Sequence, residues 1–183
     1  LGVCDDTLKI VFSLIENSTT PLVLDADALN CVAKQPEILL RKKAPIIITP
    51  HPGEMSRLTG LATPLVNAER ERVALDFAQK YGVVTVLKGA GTVIASPNGK
   101  VLVNPTGNSG MATGGSGDVL AGMTASILAQ GASAFSSAAA AVYLHGLAGD
   151  IAAEKYGKIS MLPTDLINCI PLASVSYTHL RAH

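Results

Sequence analysis

Clustered positive charge is missing from this 183-residue chain. Fourteen lysines and arginines balance fourteen aspartates and glutamates, and no basic run is longer than Arg41-Lys42-Lys43. Binding to nucleic acid or to an anionic membrane surface therefore has no electrostatic support. A membrane-spanning run is missing as well. The nearest candidate, Ser133 to Gly149, is rich in alanine, carries His145, and reads as a packed helix. Cys4, Cys31 and Cys169 are odd in number and far apart. They offer neither a disulfide framework nor metal-ligand spacing, and fit buried thiols in a reducing compartment, the cytoplasm. Internal repeats and flexible linkers are also absent. Charged residues make up only 15% of the chain against 48% apolar, with a mean hydropathy of +0.37. A chain of this length and composition forms one domain, or most of one, around a substantial core.

What the chain has is alternation. A helix is predicted over Asp5 to Asn17, then a strand at Leu22-Val23-Leu24 and a short helix around Ala28 to Ala33. The continuously apolar Ile46-Ile47-Ile48 reads as a strand covered on both faces. An amphipathic helix from about Asn67 to Tyr81 closes at Gly82, and strand Val83 to Leu87 follows. Val93 to Ala95 and Lys100 to Val103 flank Pro97-Asn98-Gly99, a hairpin signal. Helices then begin near Gly117, Ser136 and Thr164, the last with a hydroxyl able to cap it. The pattern predicts an α/β sandwich on a mostly parallel central sheet with one antiparallel hairpin. The two ends stand apart. Leu1 opens the chain with no signal-like segment, and Ser176 to His183 (SYTHLRAH) has no apolar period, so 172–183 is expected to be a disordered or artefactual tail.

Polar residues gather where the apolar strands end, the edge at which open α/β sheets bind ligands. Four loops lie there: Asp25-Ala26-Asp27, His51-Pro52-Gly53-Glu54, Lys88 to Thr92, and Asn104 to Asp118. Each also has a plain structural explanation. Asp25 and Asp27 fit a turn and a helix cap, and Glu54 fits a first helical turn. Lys88-Gly89-Ala90-Gly91-Thr92 fits a tight turn as well as a phosphate contact. His51 sits between prolines that would aim its imidazole, while His145, among alanines, reads as a core histidine. The fourth loop is the densest. Six of the 17 glycines lie between Gly107 and Gly122, mostly just ahead of a helix. Their N–H groups can converge beside that helix's unpaired first turn and cradle a phosphate or a developing negative charge. Asp118 would repel an anion there unless it accepts a proton from a hydroxyl that attacks the cradled phosphorus. A glycine turn capped by an ordinary aspartate is the other explanation.

The stretches PLVLDADALN (21–30), ITPHPGEMSRLTG (48–60), VLKGAGTVI (86–94) and NPTGNSGMATGGSGDVLAG (104–122) resemble the NAD(P)H-hydrate dehydratase family, a branch of the ribokinase-like superfamily. The resemblance covers about Leu1 to Pro171 and is strongest to the bacterial, ADP-using form. It implies a ribokinase-like three-layer α/β/α sandwich over 1–171, N-terminally truncated, because family members carry early strands ahead of Leu1. It also implies a lyase reaction. ADP phosphorylates the C6 hydroxyl of hydrated NADH or NADPH (S epimer), and loss of phosphate restores NAD(P)H and leaves AMP. By the motif match, Asp118 accepts the hydroxyl's proton, with Gly115 and Gly117 stabilising the transferred phosphoryl group. Lys88, Gly89, Ala90, Gly91, Thr92 and Gly117 hold the nucleotide, and His51, Asp118 and Gly2 contact the hydrated dinucleotide. Mg²⁺ bridges phosphates with no dedicated protein cage. A homo-oligomer (a tetramer at full length) and a fused or separate epimerase are the implied partners. The alternatives are a kinase for a small vitamin-precursor alcohol and an inactive nucleotide-binding fragment.

Overall fold

A run of three isoleucines explains the layers. In the computed structural model, which describes the backbone of residues 2–181 and the side chains of 2–175, strand β1 (Leu22–Leu24) pairs in parallel with β2 (Ile46–Ile48), and β2 with β3 (Val84–Leu87). Strands β4 (Val93–Ala95) and β5 (Val101–Val103) add antiparallel in turn, giving the order β1-β2-β3-β4-β5. Four of the five strands therefore point the same way. Successive side chains leave opposite faces of a strand. Ile46 and Ile48 accordingly join one core with Leu24, Leu87, Val93 and Ala95, whereas Ile47 joins a second core with Val84, Val86 and Ile94. All three isoleucines are fully buried, at roughly 1.5–3 kcal/mol each.

The first core is closed by α1 (Asp5–Asn17), α2 (Asp27–Val32), α3 (Pro52–Thr59), α4 (Thr63–Ala68) and α5 (Arg70–Tyr81), together with a 3-10 turn at Pro36–Arg41. The second is closed by α6 (Ser116–Ala129) and α7 (Ala134–Tyr156). Outside α7, α8 (Pro163–Arg181) packs through Leu166, Cys169 and Ala173. The result is the three-layer α/β/α arrangement that the resemblance implies.

Three expectations need correcting. The single helix from Asn67 to Tyr81 is two, α4 and α5, broken at Glu69, whose φ of −124° and ψ of 41° leave the helical region. The last helix is not short. It runs through the segment 172–183 as far as Arg181, with Ala173 buried; the side chains of 176–183 and the placement of 182–183 lie outside the described residues. Finally, Cys31 and Cys169 are buried but Cys4 is exposed, because it occupies the end position ahead of α1.

Candidate functional site

Strands β1, β2, β3 and β5 all deliver their carboxyl ends to one edge of the sheet, where a cleft of about 880 Å³ opens. Three of the four loops expected there line it: His51, Lys88 to Thr92, and the stretch from Asn104 to Gly117. Leu120, Val142 and His145 reach it from the helices. The fourth loop takes part through an ion pair. Lys88 Nζ lies 2.7 Å from Asp25 Oδ1 and 3.8 Å from Glu54 Oε2, with all three side chains mostly buried. Deleting one member of such a group strands the other charges, which costs about 3–5 kcal/mol. The ammonium is directed at α6, since a side chain at Gly117 would meet Lys88 Nζ at 3.5 Å and Asp25 Oδ2 at 3.9 Å. Ala26, between the two aspartates, has φ 50° and ψ −120°, and is the one non-glycine residue with positive φ among the described residues. Such strain costs about 1–3 kcal/mol and accumulates at functional sites.

His51 is fixed by its own motif. Its Nδ1 accepts the N–H groups of Gly53 (3.0 Å) and Glu54 (3.3 Å), while Glu54 Oε2 accepts the His51 N–H at 2.7 Å. This is a reciprocal capping box with histidine as the cap. The acceptor role of Nδ1 puts the proton of the neutral ring on Nε2. HPGE is thus at once the start of α3 and a device that fixes the ring at the cleft wall, with Nε2 lying 3.5 Å from Glu54 Oε1.

The 104–111 loop is bolted to α7. Thr106 Oγ1 donates to Tyr143 O (2.9 Å), Asn108 Nδ2 donates to Gly149 O and Asp150 Oδ1 (both 3.0 Å), and Gly107 N donates to Asp150 Oδ2 (2.9 Å). Two glycines one turn apart make room for it. A methyl group on Gly146 would lie 2.1 Å from Thr106 Oγ1, and one on Gly149 would lie 2.3 Å from Met111 Sδ. The small residues of α7, read from sequence as serving helix packing, also seat this loop.

At the start of α6 the chain turns through Gly115, with φ 96°. Among the described residues, no protein acceptor takes the N–H groups of Gly114, Gly115, Gly117 or Asp118. They are the donors expected of an anion cradle. His145 supports them from below, its Nε2 lying 3.0 Å from Ser116 O. Burial lowers the His145 pKa to about 4, against a smaller opposing effect of that hydrogen bond. The ring is therefore neutral, and Nε2 donates. His145 is a satisfied core histidine, as the sequence suggests, but one whose edge borders the cleft.

Two expected site residues are not in the lining. Asp118, third in the helix, has an exposed side chain with no hydrogen bond or ion pair among the described residues, so it caps nothing. Gly2 instead donates its N–H to Asp27 Oδ2 at 2.8 Å, and this bond is the main reason the Asp27 pKa is lowered. Sequence reasoning gave no role to Asp150, or to Arg70 beneath the Lys88–Thr92 loop. Both act on backbone atoms distant in sequence, which leaves no local signature.

Residues 1–172 match one family, the NAD(P)H-hydrate dehydratases. The chain belongs to that family. The bifunctional NAD(P)H-hydrate repair enzyme of Moorella thermoacetica is 45% identical over 165 residues, 90% of this chain and 31% of the relative. Among solved structures, the Bacillus subtilis ADP/ATP-dependent NAD(P)H-hydrate dehydratase co-crystallized with ATP/Mg²⁺ superposes with a TM-score of 0.81 at 34% identity. That match covers 89% of this chain and 57% of the Bacillus one. A ribokinase-like superfamily protein of Enterococcus faecalis gives 0.80 at 30% identity, over 97% and 61%. This chain thus spans between about a third and three-fifths of the length of these relatives and neighbours, and its fold is ribokinase-like.

Proposed function

We propose that the natural protein restores hydrated NADH or NADPH (S epimer) to NAD(P)H, using ADP and releasing AMP and phosphate. The observation that carries this reading is a single cleft in which His51, the Lys88–Thr92 loop and the acceptor-free N–H groups of α6 face a common space. Water is a poor leaving group and phosphate a good one, so a phosphoanhydride drives the dehydration. Asp118 accepts the proton of the C6 hydroxyl as that hydroxyl attacks phosphorus, which suits a carboxylate without a partner among the described residues. The N–H groups around Gly115 and Gly117, with Lys88, stabilise the charge on the transferring phosphoryl group. Lys88, Gly89, Ala90, Gly91 and Thr92 hold the nucleotide, and His51 and Gly2 meet the dinucleotide. No group of three or more His, Cys, Asp or Glu able to hold a metal occurs among the described residues. Mg²⁺ would enter with the nucleotide and neutralise phosphate charge during the transfer. We further propose a homo-oligomer and, fused or separate, an epimerase as working partner.

The test is product analysis. The natural full-length protein, given hydrated NADH and ADP, should restore the near-ultraviolet absorbance of the reduced nicotinamide and release AMP and phosphate in equal amounts. A stable phosphate ester would instead mean a kinase, and nucleotide binding without products would mean a binding module.

A further inference from the structure

Behind the Lys88–Thr92 loop, on the side away from the cleft, lies a guanidinium that no feature of the sequence marks. Arg70 opens α5, and its fork reaches under the loop. Nη2 donates to Leu87 O at 2.8 Å and to Gly91 O at 3.4 Å, and Nη1 donates to Lys88 O at 3.3 Å. The remaining donor, Nε, is buried with no partner among the described residues. The approach is so close that a methyl group on Gly89 would sit 2.6 Å from Nη1. Gly89 O, the carbonyl Arg70 does not reach, accepts from Thr92 Oγ1 at 3.0 Å. The carbonyls of Leu87, Lys88, Gly89 and Gly91 are therefore all engaged within the protein.

That arrangement dictates where the amides point. The peptide bonds are trans, and in a trans peptide the N–H opposes the preceding C=O. With the carbonyls of Lys88 and Gly91 turned down to Arg70, the N–H groups of Gly89 and Thr92 turn the other way. None of the four N–H groups from Gly89 to Thr92 has a protein acceptor among the described residues. All four residues line the cleft. Arg70 does not; it borders a separate shallow depression on the far side of the loop with Ala90 and Gly91.

We infer that Arg70 is the positioning residue of the nucleotide site: by gathering three carbonyls on the hidden side of the loop, it turns the loop's amides toward the phosphates of an adenine nucleotide. The inference rests on the nucleotide role proposed above for Lys88 to Thr92. A planar fork is needed, because a lysine has the charge but cannot hold three carbonyls at once in fixed directions.

Arg70→Met and Arg70→Lys in the natural full-length protein separate orientation from charge. Both should raise the KM for ADP about ten- to a hundredfold, the loss expected for hydrogen bonds to a charged group. The kcat at saturating ADP should stay within about threefold, since the atoms that react are untouched. In the nucleotide-free protein, NMR order parameters of Gly89 to Thr92 should fall from the rigid range near 0.85 toward the flexible range below about 0.6. Arg70→Gln, which keeps a short planar donor but loses the fork, should weaken ADP in the same way and serves if another Arg70 variant fails to fold. Unchanged ADP affinity in Arg70→Met, full rescue by lysine, or unchanged order parameters would each overturn the inference. A wild-type protein that does not bind ADP would instead sink the functional reading, and the order parameters would still decide the role of Arg70.

Discussion

An aspartate in the first turn of a helix ordinarily bonds a free N–H or complements the helix dipole. Asp118 makes no such bond among the described residues, so Asp118→Asn should leave the fold unchanged and act on chemistry. In the natural full-length protein we predict a fall in kcat of about two to four orders of magnitude, the range for losing a general base, with AMP affinity retained. Near-normal turnover would remove Asp118 from the mechanism. His145 makes a different prediction. Its pKa is lowered from the usual 6.5 to about 4 by burial, so between those values the unfolded chain takes up a proton that the folded chain refuses. Its contribution is thus fully present above pH 6.5 and is lost as pH falls toward 4, by roughly 3 kcal/mol at most. Thermal melts at pH 7 and pH 5 should show a drop that His145→Gln reduces; equal drops in both proteins would refute the assignment. At this scale sequence served well where the residue type limits its uses. Aspartate beside glycines and histidine between prolines are legible, whereas Arg70 and Asp150 act on backbone atoms 17 to 43 residues away and leave no local pattern.

Among elements, α7 and α6 use glycine in opposite ways. Gly146 and Gly149 press on Thr106 and Met111, whereas nothing lies within 4 Å of where a side chain on Gly122 would begin. Gly146→Ala should therefore destabilise by about 1–3 kcal/mol, as overpacking does, and should loosen the 104–111 loop. Gly122→Ala should stabilise by about 0.5–1 kcal/mol through helix propensity alone. Denaturant melts of the two variants check both signs, and a matching sign would mean the loop seat is misplaced. Elements of strong period were legible: α1, β1 and β2 end where their apolar patterns end. The break at Glu69 was not, because α4 and α5 share one amphipathic pattern and only the backbone turns between them. The continuation of α8 past Pro171 was hidden for a related reason. Its mean polarity resembles a tail, whereas Ala173 packs in one cluster with Ala148 and Ala152 of α7.

Across the whole molecule, apolar side chains remain at the surface in several regions, among them Ile10 and Leu14 on α1, the border strand β5 and the neighbourhood of α8. Leu102 and Val103 stand about half exposed on β5, the strand at one border of the sheet, and Ile159, Leu162 and Ile167 are exposed beside α8. Strand borders with apolar faces invite pairing. We predict concentration-dependent self-association by sedimentation velocity at micromolar concentration, reduced by Leu102→Lys; a strictly monomeric species would count against it. The layer order was legible from the alternation of strands and helices, and the location of the cleft from the residues at strand ends. The division of the molecule into two cores has a consequence for its birth on the ribosome. Apart from the side chains of the sheet itself, the second core is made of residues that follow Asn104, as are the seats of the glycine loop at Tyr143, Gly149 and Asp150. A nascent chain that has released the five strands but not α6 and α7 has the first core assembled and the other sheet face naked and apolar, the surface a chaperone grips. Stalled chains ending before α7 should thus be retained by trigger-type holdases and fail to photocrosslink to an azido-adenine nucleotide. Chains in which Tyr156 has cleared the exit tunnel should do the opposite, so that nucleotide capture reports the arrival of α7.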